Sequence, residues 1–158
     1  MLTATNRSNI KISKEIELKR FSEKTSKFIK KFKTIFLYGE LGVGKTTFVK
    51  YLINNLQKHE KTRITEIPSP TFNIVHEYKI KDFKILHYDL YRVKDTNELD
   101  NIGIFENNED SLVLVEWPEL IKKKPKNYIK ISFKYSKKIN ERNLRISSHG
   151  RCKEYEIN

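Results

Sequence analysis

Thr34-Ile35-Phe36-Leu37-Tyr38-Gly39-Glu40-Leu41-Gly42-Val43-Gly44-Lys45-Thr46-Thr47 decides the fold. Its first five residues are a continuous apolar, β-rich run, the composition of a strand buried on both faces. From Gly39 onward the chain fits G-x-x-x-x-G-K-[ST] at every fixed position. A helix is predicted from Lys45 to about Gln57, with Phe48, Tyr51, Leu52 and Leu56 on one side. The glycines let such a loop wrap with its N–H groups inward on a phosphate, and the helix N-terminus beyond adds about half a positive charge. Lys45 is then expected to reach the β and γ phosphates, and the Thr46 hydroxyl to ligate Mg²⁺. A chain of this composition produces the pattern by chance roughly 0.003 times, so we read nucleotide binding here.

Upstream, a short strand is predicted at Asn9 to Ile12, followed by a helix that Ser13 caps and that runs to about Lys31. Glu15 and Glu17 occupy its first turn, where the helix dipole favours acids, and Leu18, Phe21, Thr25, Phe28 and Ile29 make its buried stripe. Downstream, Phe72 to Ile80 and Phe83 to Leu90 lie too close for a crossover helix and read as an antiparallel hairpin turned at Lys81-Asp82. Asp95 caps a short helix through Leu99. Leu112 to Val115 is a second fully apolar strand, and Tyr128 to Tyr135 with Asn143 to Ser148 alternate like a final hairpin.

A chain of 158 residues fits one domain, expected here over residues 1–158 with no linker or repeat inside it. The single Cys152 rules out an internal disulfide and a four-cysteine zinc site, and suits a reducing cytoplasm. Neither a signal peptide nor a membrane span is expected, because no apolar run is long enough. The net charge of +12 comes from 25 Lys and 7 Arg against 20 acids, a lysine-heavy usage that an A+T-rich coding sequence also produces. Its distribution is uneven. Residues 1–34 hold 10 basic and 3 acidic residues, 35–119 hold 10 and 14, and 120–158 hold 12 and 3, so basic ends flank an acidic middle.

A glycine loop hydrolyses nothing alone; an acid must hold the metal and position the water. Two carboxylates end apolar stretches, Asp89 after Ile85-Leu86-His87-Tyr88 and Glu116 after Leu112 to Val115, at the sheet edge where α/β proteins bind ligands. Thr71, in Ser69-Pro70-Thr71-Phe72, could bring a hydroxyl to the γ-phosphate, although a Pro turn entering a strand reads the same way. The four histidines show no metal spacing. No Asn-Lys pair exists to read guanine, and the glycines are mostly spent on the loop, against a GTPase and a transporter ATPase respectively. A small-molecule or nucleotide kinase remains the alternative, though only Arg92 lies in the central segment where an arginine-rich lid would sit.

In order, G-E-L-G-V-G-K-T-T, S-P-T-F, H-Y-D-L-Y-R, E-L-D-N-I-G and V-E-W-P-E resemble one family, the bacterial tRNA threonylcarbamoyladenosine biosynthesis ATPases, or TsaE (YjeE) family, from about Asn9 to Ser148. The resemblance implies an α/β P-loop NTPase with a mixed, partly antiparallel central sheet flanked by helices. It implies binding of ATP and Mg²⁺, and work with two partner proteins, TsaB and TsaD, in placing threonylcarbamoyl on the adenosine beside the anticodon of tRNAs reading ANN codons. It further implies that the tRNA is met through that complex. On the matching positions, Thr46 and Glu116 would ligate Mg²⁺, Asp89 would support the metal or the attacking water, and Thr71 would act as a switch. Residues Gly39 to Thr47 and Trp117 would meet the nucleotide, with its adenine near Ser13, Lys14 and Arg142. Glu40 stands where the family commonly has Asp, and the Lys122 to Lys126 loop is unusually basic. No arginine finger lies in the motifs, so hydrolysis is expected to depend on a partner.

Overall fold

The computed structural model describes residues 6–106 and 110–154. At its centre is the strand Thr34–Tyr38 (β2, counting Asn6–Ile12 as β1), whose residues are buried except at its last position. It is paired in parallel on both sides, with Ser111–Glu116 (β5) and with Tyr128–Tyr135 (β6). Val75–Ile80 (β3) and Phe83–Asp89 (β4) form an antiparallel hairpin, and β4 joins β5 in parallel. At the other end, β6 and Arg142–His149 (β7) form a second hairpin, to which β1 adds antiparallel. The seven strands therefore run β1-β7-β6-β2-β5-β4-β3 in one mixed sheet. This is the mixed α/β architecture expected from the sequence.

Helices Glu15–Ser26 (α1) and Lys45–His59 (α2) cover one face. Leu18 and Phe21 of α1 and Phe48, Leu52 and Ile53 of α2 bury against Ile35, Leu37, Leu114, Ile129 and Ile131 of the sheet. Each such side chain removed from water contributes about 1.5–3 kcal/mol. The Phe48 ring lies 5.5 Å from that of Phe21 and 6.1 Å from that of Phe133, which ties α2 to both α1 and β6. On the opposite face, Thr96–Ile102 (α3) and a 3₁₀ turn at Pro118–Leu120 shield a smaller core around Phe36, Tyr88, Val113 and Val115. Asp95 caps α3 by accepting from the N–H groups of Asn97 and Glu98, and Gly103 ends it in a left-handed conformation at φ 63°. The helix therefore runs three residues past Leu99.

Four local expectations are corrected. Lys14, not Ser13, is the N-cap of α1; the carboxylate of Glu17 accepts from the N–H groups of both Ser13 and Lys14, so an acid one turn inside does the capping. That charge-assisted bonding lowers the Glu17 pKa. Second, α1 stops at Ser26 and the chain continues through a separate 3₁₀ turn at Ile29–Lys31. The hydroxyls of Ser22, Thr25 and Ser26 bond back to carbonyls three or four residues earlier, a competition that weakens a continuing helix. Third, Phe72 lies outside β3 and is 83% exposed, because Ile74 takes a left-handed φ of 66° and the strand begins only at Val75. Tyr51 also leaves the buried stripe and donates its hydroxyl to Glu15 of α1. Cys152 is buried, which pushes its thiol pKa up to about 11.

Candidate functional site

The loop from Gly39 to Gly44 joins the C-terminal end of β2 to the N-terminus of α2. Gly39 sits at φ +143°, and a Cβ there would stand 2.7 Å from the carbonyl oxygen of Phe133. Only glycine lets the loop leave the sheet so close to β6. Gly39→Ala is expected to destabilise the fold by about 2–4 kcal/mol, through strain and a collision with backbone. Urea denaturation checks this, and a change below about 0.5 kcal/mol would contradict it. Gly44, at φ 116°, is the N-cap of α2 and brings the helix N-terminus onto the loop.

Lys45 is 4% exposed. Its ammonium donates to the carbonyl oxygens of Gly39 at 2.5 Å and Glu40 at 2.9 Å, so it spans the interior of the loop. The same nitrogen lies 4.0 Å from the centre of the Trp117 ring, a cation–π contact. Burial lowers the Lys45 pKa, and the carboxylates of Glu116, Asp89 and Glu119 oppose that shift. Trp117 in turn packs its ring 4.9 Å from that of Tyr91 and holds a left-handed φ of 56°, which bends the chain sharply after β5.

Asp89 and Glu116 are register partners at the C-terminal ends of the parallel strands β4 and β5. Both are nearly fully buried, at 3% and 2% exposure. The Thr46 hydroxyl donates toward both oxygens of Glu116, at 3.0 and 2.9 Å. His87, wholly buried and two residues before Asp89 on the same strand, places Nε2 2.8 Å from Glu116 Oε1. A carboxylate there accepts, so Nε2 carries the ring proton while the buried Nδ1 has no partner. Asp89 accepts from the hydroxyls of Thr71 at 2.7 Å and Ser69 at 3.1 Å, and from the N–H of Tyr91 at 3.0 Å. Ser69 and Thr71 also share a hydrogen bond of 2.7 Å, so the loop before β3 is tied to the end of β4 by hydroxyls.

These groups enclose a cavity of about 140 Å³ lined by the glycine loop with Lys45, Thr46 and Thr47, and by Thr71, Asp89, Glu116 and Trp117. Small-molecule sites usually hold about 300–1,000 Å³, so this one has room for a small polar group such as a phosphate and not for a larger molecule. Ser13, Lys14 and Arg142 do not line it. They sit on the far flank of the loop: Ile12, next to Ser13, pairs with Arg142, whose guanidinium lies 5.2 Å from the Tyr135 ring centre. The Tyr135 hydroxyl donates to the carbonyl of Leu41, so this flank touches the loop from outside. Among loop residues, Val43 is buried while Leu41 is 67% exposed. A wider groove of about 400 Å³ runs between α3 and residues 120–123; Thr96, Asp100 and Glu106 are in its lining, but none of the residues of the glycine loop is.

Sequence reading missed His87, Ser69 and Tyr135 as parts of this arrangement. Their signals differ. His87 precedes Asp89 by two residues and so shares its strand face, and Ser69 opens the same short motif as Thr71. Tyr135 gave only the alternation of a strand. Among the described residues no three His, Cys, Asp or Glu side chains converge as a closed metal site. An open set of one hydroxyl and two carboxylates is instead the donor chemistry that suits Mg²⁺, which keeps waters and phosphate oxygens in its shell.

The chain matches the family model "Threonylcarbamoyl adenosine biosynthesis protein TsaE" over residues 12–144. It is 39% identical over 111 residues to the tRNA threonylcarbamoyladenosine biosynthesis protein TsaE of Rickettsia typhi, covering 70% of this chain and 74% of that one. The protein of the same name from Haemophilus influenzae is 35% identical over 114 residues, with 68% and 69% covered. Among solved structures, the crystal structure of Bacillus subtilis YdiB superposes with a TM-score of 0.72 at 27% identity, covering 94% of this chain and 90% of that one. Family match, relatives and sheet agree, and the chain belongs to the TsaE family of tRNA threonylcarbamoyladenosine biosynthesis.

Proposed function

We propose that the chain binds and hydrolyses ATP with Mg²⁺, weakly alone and faster with TsaB and TsaD, in support of threonylcarbamoyladenosine formation beside the anticodon of tRNAs that read ANN codons. The observation that carries this reading is the convergence of Thr46 on Glu116 at 2.9–3.0 Å beside Asp89, at the mouth of the loop that Lys45 spans. The chemistry Mg²⁺ would supply there is neutralisation of phosphate charge. Thr46 and Glu116 would hold the ion. His87 fixes the orientation of Glu116, and Asp89, oriented by Ser69, Thr71 and Tyr91, faces the same cavity as the acid that supports the metal or orders the attacking water. Thr71 would sense the terminal phosphate through its bond to Asp89 and report its loss to the loop before β3.

Among the described residues no arginine lines the cavity to stabilise charge on the transferring phosphoryl group. Hydrolysis is therefore expected to be slow alone and to rise when TsaB and TsaD are added, measured as released phosphate. Equal turnover with and without them would sink the partner dependence. Phosphate released with no phosphorylated acceptor separates this reading from a small-molecule kinase, which would transfer the group instead. Among the described residues no helix is long and apolar enough to cross a membrane.

A further inference from the structure

The helices α1 and α2 cover only one face of the β6–β7–β1 end of the sheet. Side chains alternate there with unusual contrast. Ile129, Ile131, Phe133, Leu144 and Ile146 point into the core beneath the helices. The alternate positions, Lys130, Ser132 and Lys134 on β6, Asn143, Arg145 and Ser147 on β7, and Asn9 on β1, face outward and line a groove of about 450 Å³. Among the described residues no carboxylate lines it. The second core, under α3, reaches only as far as Tyr38 and Tyr128, so the groove lies beyond its cover.

An antiparallel sheet face left in water commonly mixes both signs of charge. Here Ser132 and Asn9 sit opposite Arg145 in register, Ser147 opposite Lys130, and Asn143 opposite Lys134, so every charged position is a cation flanked by small hydrogen-bonding groups. Along a strand alternate side chains stand roughly 7 Å apart, and across strands roughly 5 Å, a lattice of cations and donors spaced for a polyanion rather than for one small anion. The strip continues past the groove: the Lys130 ammonium lies 4.4 Å from the Tyr38 ring centre, and Lys124, from the basic loop, approaches the same ring at 6.0 Å. At the same margin the Tyr128 and His149 rings stack at 4.1 Å. Cations that track a backbone beside aromatic rings are the chemistry by which sheet surfaces hold RNA.

We propose that this open face binds the phosphodiester backbone of RNA directly, and that the family's tRNA is its occupant. The groove is on the sheet face away from α2 and does not include any residue of the nucleotide cavity, so the inference stands or falls separately from the ATPase reading.

The test is binding of a full-length tRNA transcript to the intact chain without nucleotide, followed by fluorescence anisotropy across roughly 50–200 mM salt. Lys134 and Arg145 are both exposed, so Lys134→Glu with Arg145→Glu preserves the fold. The pair is expected to weaken tRNA binding by about tenfold or more and to lower the slope of log affinity against log salt by about 2. Lys50→Glu with Lys58→Glu, the same charge change on exposed positions of α2, is expected to cost at most about twofold. ATP binding should be unchanged in all variants. Equal losses in the two double variants would show charge alone at work and overturn the proposal. So would competition by polyglutamate as effective as by unlabelled tRNA, which would assign the face to an acidic protein surface, or absence of tRNA binding by the unsubstituted chain at low salt.

Discussion

Lys45→Ala is expected to reduce tRNA threonylcarbamoylation to background in a system reconstituted with TsaB and TsaD. The ammonium of Lys45 crosses the inside of the glycine loop, held by two carbonyls and capped by the Trp117 ring. A phosphate entering that loop would exchange those neutral acceptors for charged oxygens, a charge-assisted bond worth about 1.5–3 kcal/mol in binding alone. Charge that builds on the phosphate oxygens during transfer makes the loss larger in turnover than in affinity, so ATP hydrolysis should fall by at least about a hundredfold. Alanine is a good residue in the first turn of a helix, and α2 is anchored by Phe48, Leu52 and Ile53 further along, so the fold should persist. Full activity in the variant would remove Lys45 from the chemistry.

The second large effect concerns Glu116, where two substitutions separate two roles. Glu116→Gln keeps an acceptor for His87 and Thr46 but removes the negative charge that would hold a cation. Hydrolysis is expected to drop about a hundredfold, or about 2.7 kcal/mol of transition-state stabilisation, with little change in melting temperature. Glu116→Ala should lose the same activity and also leave the buried Nε2–H of His87 without a partner, a further cost of about 1–3 kcal/mol in stability. At about 2–4 °C per kcal/mol for a chain of this size, a thermal melt resolves the two variants. A fully active Gln variant would end the metal assignment, and identical melts would show that His87 is not held by Glu116.

Much of this arrangement could be read without coordinates because its parts obey short-range rules. A buried strand, a glycine loop and a helix in immediate succession leave one way to place Lys45 and Thr46. Asp89 and Glu116 were legible individually as acids ending apolar strands. That they are register partners was not, because the pairing of β4 with β5 is set by packing across residues far apart in sequence. His87 escaped for a related reason: a histidine inside an apolar strand reads as packing until its neighbour on the next strand is known. The errors at Ser13, at the end of α1 and at Phe72 share a different cause. Each turns on a local competition for backbone hydrogen bonds, by Glu17, by the hydroxyls of α1 and by the left-handed Ile74, that hydrophobic periodicity does not register.

Among the described residues the edge strand β1 pairs with β7 alone, with Asn6 opposite Ser148 and Ile12 opposite Arg142. During synthesis on a ribosome the strand made early must therefore wait, unpaired, for one made about 130 residues later. For that interval its N–H and C=O groups are open to any passing strand. Lys11 and the short polar run before Ile10 make that early segment a poor template, and the β1–β7 seam cannot close until β7 has been made.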